Sequence, residues 1–145
     1  MSTQTGALHQ TAAAGASTTL LRRILWVDGV STAASGVLLL AAARPLEDLL
    51  GLPVSWAVPL GIGLLGWALA VILVVDHPRI PARHVAFVIG GNALSAAALV
   101  LLALTDLVPL TGLGIGFVLL MAAVVAVYAE LQFMGLRRAG DALDR

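Results

Sequence analysis

Two carboxylates lie inside long apolar segments of this 145-residue chain, at Asp28 and at Glu130. A charged side chain in bilayer hydrocarbon costs about 2.5–3.5 kcal/mol on insertion scales, so it is expected to face a bundle interior or a water-filled cavity. Asp28 follows Arg23 by five residues and Glu130 precedes Arg137 by seven, which places each carboxylate within about 10 Å of a basic flank. Both residues are therefore candidates for proton or ligand chemistry.

Polar or amphipathic side chains on the other two apolar segments lie at a similar depth. Asn92 lies nine residues past Arg83, which is about 13 Å along a helix, and Trp67 lies at the matching depth of its segment. The candidate ligand or proton site therefore comprises seven residues, Asp28, Ser31, Trp67, Asn92, Ser95, Tyr128 and Glu130.

Helical periodicity indicates which of these side chains share a face. Ser31 lies three residues after Asp28, and Ser95 lies three residues after Asn92, so each serine is on the face of its partner. Small residues mark the places where a second helix approaches, and Glu130 shares its face with three of them, Ala122, Ala123 and Ala126. We therefore expect Glu130 to point into the bundle.

Two interpretations of this polar set remain open. In the first, the residues form a protonatable or ligand-binding pocket in which Asp28 and Glu130 are the working groups, because two nearby carboxylates perturb each other's ionisation. In the second, they are hydrogen-bonded between helices and fix the packing.

Other chemistry is not expected from this sequence. The chain has no cysteine, which excludes disulfides, thiolate metal sites and cysteine nucleophiles. His77 and His84 lie at the edge of the apolar segments, where a solvated position is expected and a metal site is not. No nucleotide-binding loop, zinc motif or Ser/His/Asp set occurs, so we expect no catalytic residues, no metal and no cofactor.

Composition indicates a membrane protein. Hydrophobic residues make up 60% of the chain and charged residues 11%, with a mean hydropathy of +1.02, whereas soluble domains contain roughly 45–50% and 25% respectively. The sequence predicts an all-α integral membrane bundle of four transmembrane helices, because helices satisfy their own backbone hydrogen bonds in lipid. The transmembrane domain is predicted over 20–138, with spans at about 20–43, 54–75, 84–104 and 107–134.

The flanks and connections are also predicted. Residues 1–19 are small and polar and are expected to lack order, and 139–145 form a tail. A short interfacial helix is expected after the first span, with Leu46, Leu49 and Leu50 toward lipid and Gly51 as its stop. Thr105 or Asp106 is expected to cap the last helix, with Pro109 in its first turn.

Arginine distribution predicts the orientation. Four crossings put seven arginines on one side, Arg22, Arg23, Arg79, Arg83, Arg137, Arg138 and Arg145, and leave Arg44 alone on the other. The positive-inside rule then places both termini in the cytoplasm, with the first six of these residues as topology anchors. Enrichment in Arg, Ala, Leu, Val and Gly suggests a bacterial source, and hence the cytoplasmic (inner) membrane. A cleaved signal at the first span is disfavoured, because that apolar run is too long and contains Asp28.

The two halves of the chain resemble each other at an offset of 64 residues. Asp28 then aligns with Asn92, and Pro45 aligns with Pro109. A true duplication would place two helical hairpins around an axis along the membrane normal, with Asp28 facing Asn92. The motifs Gly112-x3-Gly116 and Ala86-x3-Gly90 are expected to serve packing inside the bundle, and a homodimer is the alternative.

The pattern of Asp28, Pro45 to Pro53, Gly91-Asn92 and Glu130 to Arg138 resembles small, mostly uncharacterised bacterial four-helix membrane proteins that are DoxX-like in layout. The resemblance covers about residues 20–138 and implies a four-helix fold, but transfers no catalytic residues. We therefore expect a small non-enzymatic membrane protein, an accessory or scaffold subunit surrounded by lipids, with itself or a larger complex as partner and no nucleic acid. The alternative is a small transporter or lipophilic-ligand binder that uses Asp28 and Glu130.

Overall fold

The computed structural model describes residues 2–77 and 80–143, which form five helices and contain no strand. The helices are α1 (Ser2–Ala41), α2 (Ala43–Leu50), α3 (Val54–Asp76), α4 (Ala82–Leu104) and α5 (Gly112–Leu143). Four segments are long and apolar enough to cross a membrane, namely Thr18–Ala41, Val54–Asp76, Ala82–Leu104 and Gly112–Gly140. The all-α architecture with four potential spans is as the sequence predicts.

The first helix begins earlier than expected. Residues 1–19 were expected to lack order, yet α1 runs unbroken from Ser2. Alanine and glutamine have high helix propensity, and extending a helix that a long apolar span has already nucleated needs no new nucleus.

The start of the last helix also differs from the prediction. α5 begins at Gly112, and the hydroxyl of Thr111 accepts a hydrogen bond of 3.0 Å from the backbone N–H of Gly114. Thr111 is therefore the capping residue, and neither Thr105 nor Asp106 has that role. Pro109 lies in the loop before the helix instead of in its first turn.

The short helix α2 docks on the beginning of α5. Thr111 donates its backbone N–H to Leu50 O at 2.9 Å and its hydroxyl to Leu49 O at 3.0 Å. Leu50 is only 5% exposed and Leu46 is partly buried against the core, whereas Leu49 is 58% exposed. The expectation that all three leucines face lipid is thus correct for Leu49 alone. Gly51 ends α2 as predicted, in the left-handed conformation at φ 71°.

The four long helices pack as two hairpins. α1 packs along α3, α4 packs along α5, and the hairpins meet chiefly where α1 contacts α5. α3 and α4 touch over only a short stretch, so that side of the bundle is open. One apolar cluster lies near the turn between α3 and α4, and a second surrounds α2 at the opposite end.

Small residues serve the interior at some positions and face outward at others. Gly36 and Gly61 let α1 and α3 approach closely, because a Cβ on Gly36 would come within 2.9 Å of Gly61 O. In contrast, a Cβ on Gly112, Gly116 or Gly90 would meet no atom within 4 Å. The expectation that the two small-x3-small motifs pack inside the bundle is therefore wrong at these three positions.

Arg22 of α1 forms hydrogen bonds to the C-terminal end of α3, near the turn between α3 and α4. Its guanidinium donates to Val75 O at 2.6 Å and to His77 O at 3.1 Å, and so satisfies carbonyls at the end of α3 that have no helical partner. Replacing Arg22 with glutamine is expected to lower the free energy of unfolding by about 1–2 kcal/mol. An unfolding titration in mixed micelles measures this, with Arg23→Gln, an exposed neighbour, as the control. Equal losses in both variants would contradict the capping role.

Candidate functional site: a buried polar cluster beside an open groove

Three polar side chains from three helices meet in the interior. Asp28 of α1, Asn92 of α4 and Gln132 of α5 are 3%, 4% and 0% exposed. Asp28 Oδ2 accepts hydrogen bonds from Asn92 Nδ2 at 2.8 Å and from Gln132 Nε2 at 2.7 Å. Asn92 Nδ2 also donates to Gln132 Oε1 at 3.2 Å. These three residues, called the polar cluster below, join both hairpins.

The carboxylate of Asp28 is surrounded by uncharged donors. Besides the two amides, the hydroxyl of Thr32 lies 3.4 Å from Asp28 Oδ1. Among the described residues, no positively charged side chain bonds to this carboxylate. The cluster is thus held by amide and hydroxyl dipoles, and each amide nitrogen must point at Asp28, since the opposite orientation would bring two acceptor oxygens together.

The amide of Asn92 has an oxygen that the cluster does not use. Asn92 Oδ1 accepts no hydrogen bond from the described residues, because both bonds of this side chain run from Nδ2. Among those residues, His84 Nδ1 is the one fully enclosed side-chain polar atom without a partner. The oxygen of Asn92 is therefore not enclosed.

The predicted site residues are only partly brought together. Ser31 donates to Asp28 O at 3.0 Å, and its hydroxyl lies 3.4 Å from that of Tyr128, so these two extend the polar region. Trp67 packs on the bare backbone of Gly91, and its ring lies 5.5 Å from that of Phe87. Ser95 is exposed on α4.

Glu130 does not join the cluster. It is exposed on the outer face of α5, which corrects the expectation that it points into the bundle. Ala123 and Ala126 are exposed with it, and only Ala122 is buried. Small residues occur on both faces of α5, so residue size did not identify the buried face.

Gln132 is the cluster residue that the sequence reasoning missed. It lies two residues after Glu130, about 200° around the helix. The buried face of α5 carries it in register with three other buried residues, Val118, Ala122 and Ala129. The same spacing of three, four or seven residues recurs on the exposed face, at Gly116, Ala123, Ala126 and Glu130. Periodicity alone therefore did not identify the buried face.

A groove runs beside the cluster, between α3 and α4. It has a volume of about 450 Å³ and is open on one side. Trp56, Gly63 and Trp67 line it from α3, Asn92 and Ser95 from α4, and Thr32 from α1. Asn92 thus belongs both to the polar cluster and to the wall of the groove.

The arginines that were predicted as topology anchors lie, where the structure describes them, at one end of the antiparallel bundle. Arg22 and Arg23 lie near the start of the first span, Arg83 lies in the first turn of α4, and Arg137 and Arg138 lie near the end of the fourth span. In an antiparallel bundle these positions share one end. Arg137 lies over the ring of Phe133, with its guanidinium carbon 5.8 Å from the ring centroid. Arg79 lies outside the described residues. Within the described residues, no group of three or more His, Asp or Glu side chains is placed to hold a metal ion.

The contact between Asp28 and Asn92 is the one that the repeat of 64 residues predicts. The symmetry breaks at Gln132, whose counterpart 64 residues earlier is Ala68. Comparison of the chain with protein-family models, with curated proteins and with solved structures gave no match.

Proposed function

We propose that this protein is a small non-enzymatic membrane protein, an accessory or scaffold subunit that associates with another membrane helix through the outer face of α5. The observation that carries the proposal is the exposed position of Glu130 on an otherwise apolar span. We further propose that the chain is DoxX-like, on the residue pattern of Asp28, Gly91-Asn92 and Glu130 to Arg138.

The position of Glu130 leaves a carboxylate facing lipid. Such exposure costs about 2.5–3.5 kcal/mol in the middle of a span, and less when the side chain reaches toward the interface. Glu130 lies seven residues, or about 10 Å, from Arg137, so it is still within the apolar part of α5. A partner helix that supplies a polar group and excludes lipid would remove this cost.

The surface around Glu130 suits a closely packed helix. Ala123 and Ala126 lie on the same outer face, and Gly116 lies further along it with open space beside its Cα. Small side chains let two helix backbones approach, which is the main source of attraction between helices in lipid. A second copy of this chain is the simplest partner, and a larger complex is the other.

The polar cluster has a structural role in this proposal. Asp28 of the first hairpin accepts hydrogen bonds from Asn92 and Gln132 of the second, so the cluster fixes their register. The alternative function, a transporter or ligand binder that uses Asp28 together with Glu130, is less well supported, because one residue is buried and the other is exposed.

The proposed cellular location is based on the distribution of arginines along the chain. The end of the bundle that carries Arg23, Arg83, Arg137 and Arg138 is assigned to the cytoplasm by the positive-inside rule. Both termini then lie in the cytoplasm, with the protein in the inner membrane of a bacterium.

Site-specific crosslinking in native membranes tests the association. The chain has no cysteine, so one introduced as Ala126→Cys carries the only thiol, four residues from Glu130. With a thiol-attached photocrosslinker, we expect an adduct of twice the chain mass, or of one defined partner, identified by mass spectrometry. When Glu130→Leu is added to the Ala126→Cys variant, we expect the yield of the crosslinked adduct to fall several-fold, because a polar contact between helices is lost.

The control carries the same label on a different helix. Ile62 is exposed on α3, so Ile62→Cys is expected to give only the monomer with attached lipid. If Ala126→Cys also gives only the monomer, the accessory or scaffold function is wrong.

A further inference from the structure

We infer that the groove between α3 and α4 binds a lipophilic molecule with an uncharged head that donates a hydrogen bond, such as a long-chain alcohol. The inference does not depend on the association through α5, because neither Glu130 nor Ala126 lines the groove. It rests on the shape of the groove, on the absence of charge in its wall and on unused acceptors at its inner end.

The dimensions of the groove match a chain molecule. Trp56 and Trp67 are eleven residues apart on α3, so the groove extends about 16 Å along the helix, or half of a hydrocarbon core of about 30 Å. Its volume of about 450 Å³ falls within the range of roughly 300–1,000 Å³ typical of small-molecule sites. With α3 and α4 placed across a membrane, the open side would face lipid, and the occupant would come from the lipid phase.

The inner end of the groove offers one amide oxygen, that of Asn92, to which none of the described residues donates, and one serine hydroxyl. Asn92 is almost fully buried and lines the groove, and its Oδ1 is left free because Nδ2 is committed to Asp28 and Gln132. Ser95 also lines the groove, and its hydroxyl takes part in no hydrogen bond among the described residues. An acyl chain alone would cover this amide oxygen without a hydrogen bond, whereas a hydroxyl group would donate to it.

The head is expected to be uncharged. None of the described residues that line the groove has an ionisable side chain. The nearest carboxylate, that of Asp28, is already bonded to two amides and to Thr32. A charged head would therefore enter an apolar site without a counterion.

Tryptophan quenching in lipid nanodiscs tests the inference. In a Trp26→Phe background, both remaining tryptophans, Trp56 and Trp67, line the groove. The probe is an undecanol with a terminal bromine, and its methyl ether is the matched control that lacks the donor. We expect the alcohol to quench at about fivefold lower concentration than the ether, which corresponds to one hydrogen bond.

Two leucine substitutions separate binding in the groove from general partitioning. Gly63→Leu fills the groove without a clash, because a Cβ there meets no atom within 4 Å, and it is expected to abolish the preference for the alcohol. Gly90→Leu adds the same side chain on the outer face of α4, and it is expected to leave the preference for the alcohol unchanged. Ser95→Ala is expected to weaken the preference for the alcohol about twofold, because Asn92 would then be the one remaining polar partner of the head.

Equal quenching by alcohol and ether in the unsubstituted groove would overturn the inference and indicate a cleft filled by acyl chains. A preference that persists unchanged in Gly63→Leu would also overturn it, because the alcohol would then bind elsewhere. Neither outcome bears on the crosslinking at Ala126→Cys.

Discussion

Replacing Asp28 with leucine is expected to lower the free energy of unfolding by roughly 1–3 kcal/mol, because two hydrogen bonds between membrane helices are lost. The amide nitrogens of Asn92 and Gln132 would then face a side chain without an acceptor. Asp28→Asn is expected to cost less than about 1 kcal/mol, because its oxygen can still accept from both amides. Its new amide nitrogen would face Thr32, whose hydroxyl can accept.

The measurement is an unfolding titration in mixed micelles, followed by circular dichroism. A double-mutant cycle with Gln132→Leu then gives the coupling between the two residues. We expect a nonzero coupling, since both contribute to the same bond of 2.7 Å.

Glu130→Leu is the matched control for the loss of a carboxylate. Glu130 is exposed and has no bond to the polar cluster, so its replacement is expected to change the stability of the isolated protein by less than about 0.5 kcal/mol. If Asp28→Asn destabilises the fold as much as Asp28→Leu, the carboxylate charge is needed and the hydrogen-bond account of the cluster is wrong.

Gly114→Ala is expected to destabilise the fold by about 1–3 kcal/mol, as overpacking does in a well-packed interior. A Cβ on Gly114 would collide with the backbone oxygen of Leu50, at the point where α2 docks on α5. The neighbouring bond from Thr111 N–H to Leu50 O holds this backbone in place, so α2 cannot retreat without losing it.

The same substitution two residues along the helix is the control. A Cβ on Gly116 meets open space, and alanine has the higher helix propensity by about 1 kcal/mol. Gly116→Ala is therefore expected to leave the protein as stable or slightly more stable in thermal unfolding. A similar loss of stability at both positions would show that the flexibility of the first turns of α5 controls stability, and that the contact with Leu50 does not.

The helical spans and one contact of the polar cluster follow from properties that can be read along the chain. The length and apolar content of a segment are local properties, so the first three spans could be predicted to within about two residues, whereas both ends of the fourth were about five or six residues off. The stop at Gly51 was equally local, because a left-handed turn favours glycine. Asp28 and Asn92 were matched through the repeat, and they do bond.

The buried face of α5 and the position of the groove depend on how the helices pack against one another. Alanines occur on both faces of α5, so the choice of Gln132 over Glu130 depended on how α5 meets α1 and α4. The docking of α2 depends on hydrogen bonds from Thr111 to the backbone oxygens of Leu49 and Leu50, and amino-acid composition does not predict such bonds. The groove exists because α3 and α4 separate, and the separation of two helices is a property of the whole bundle.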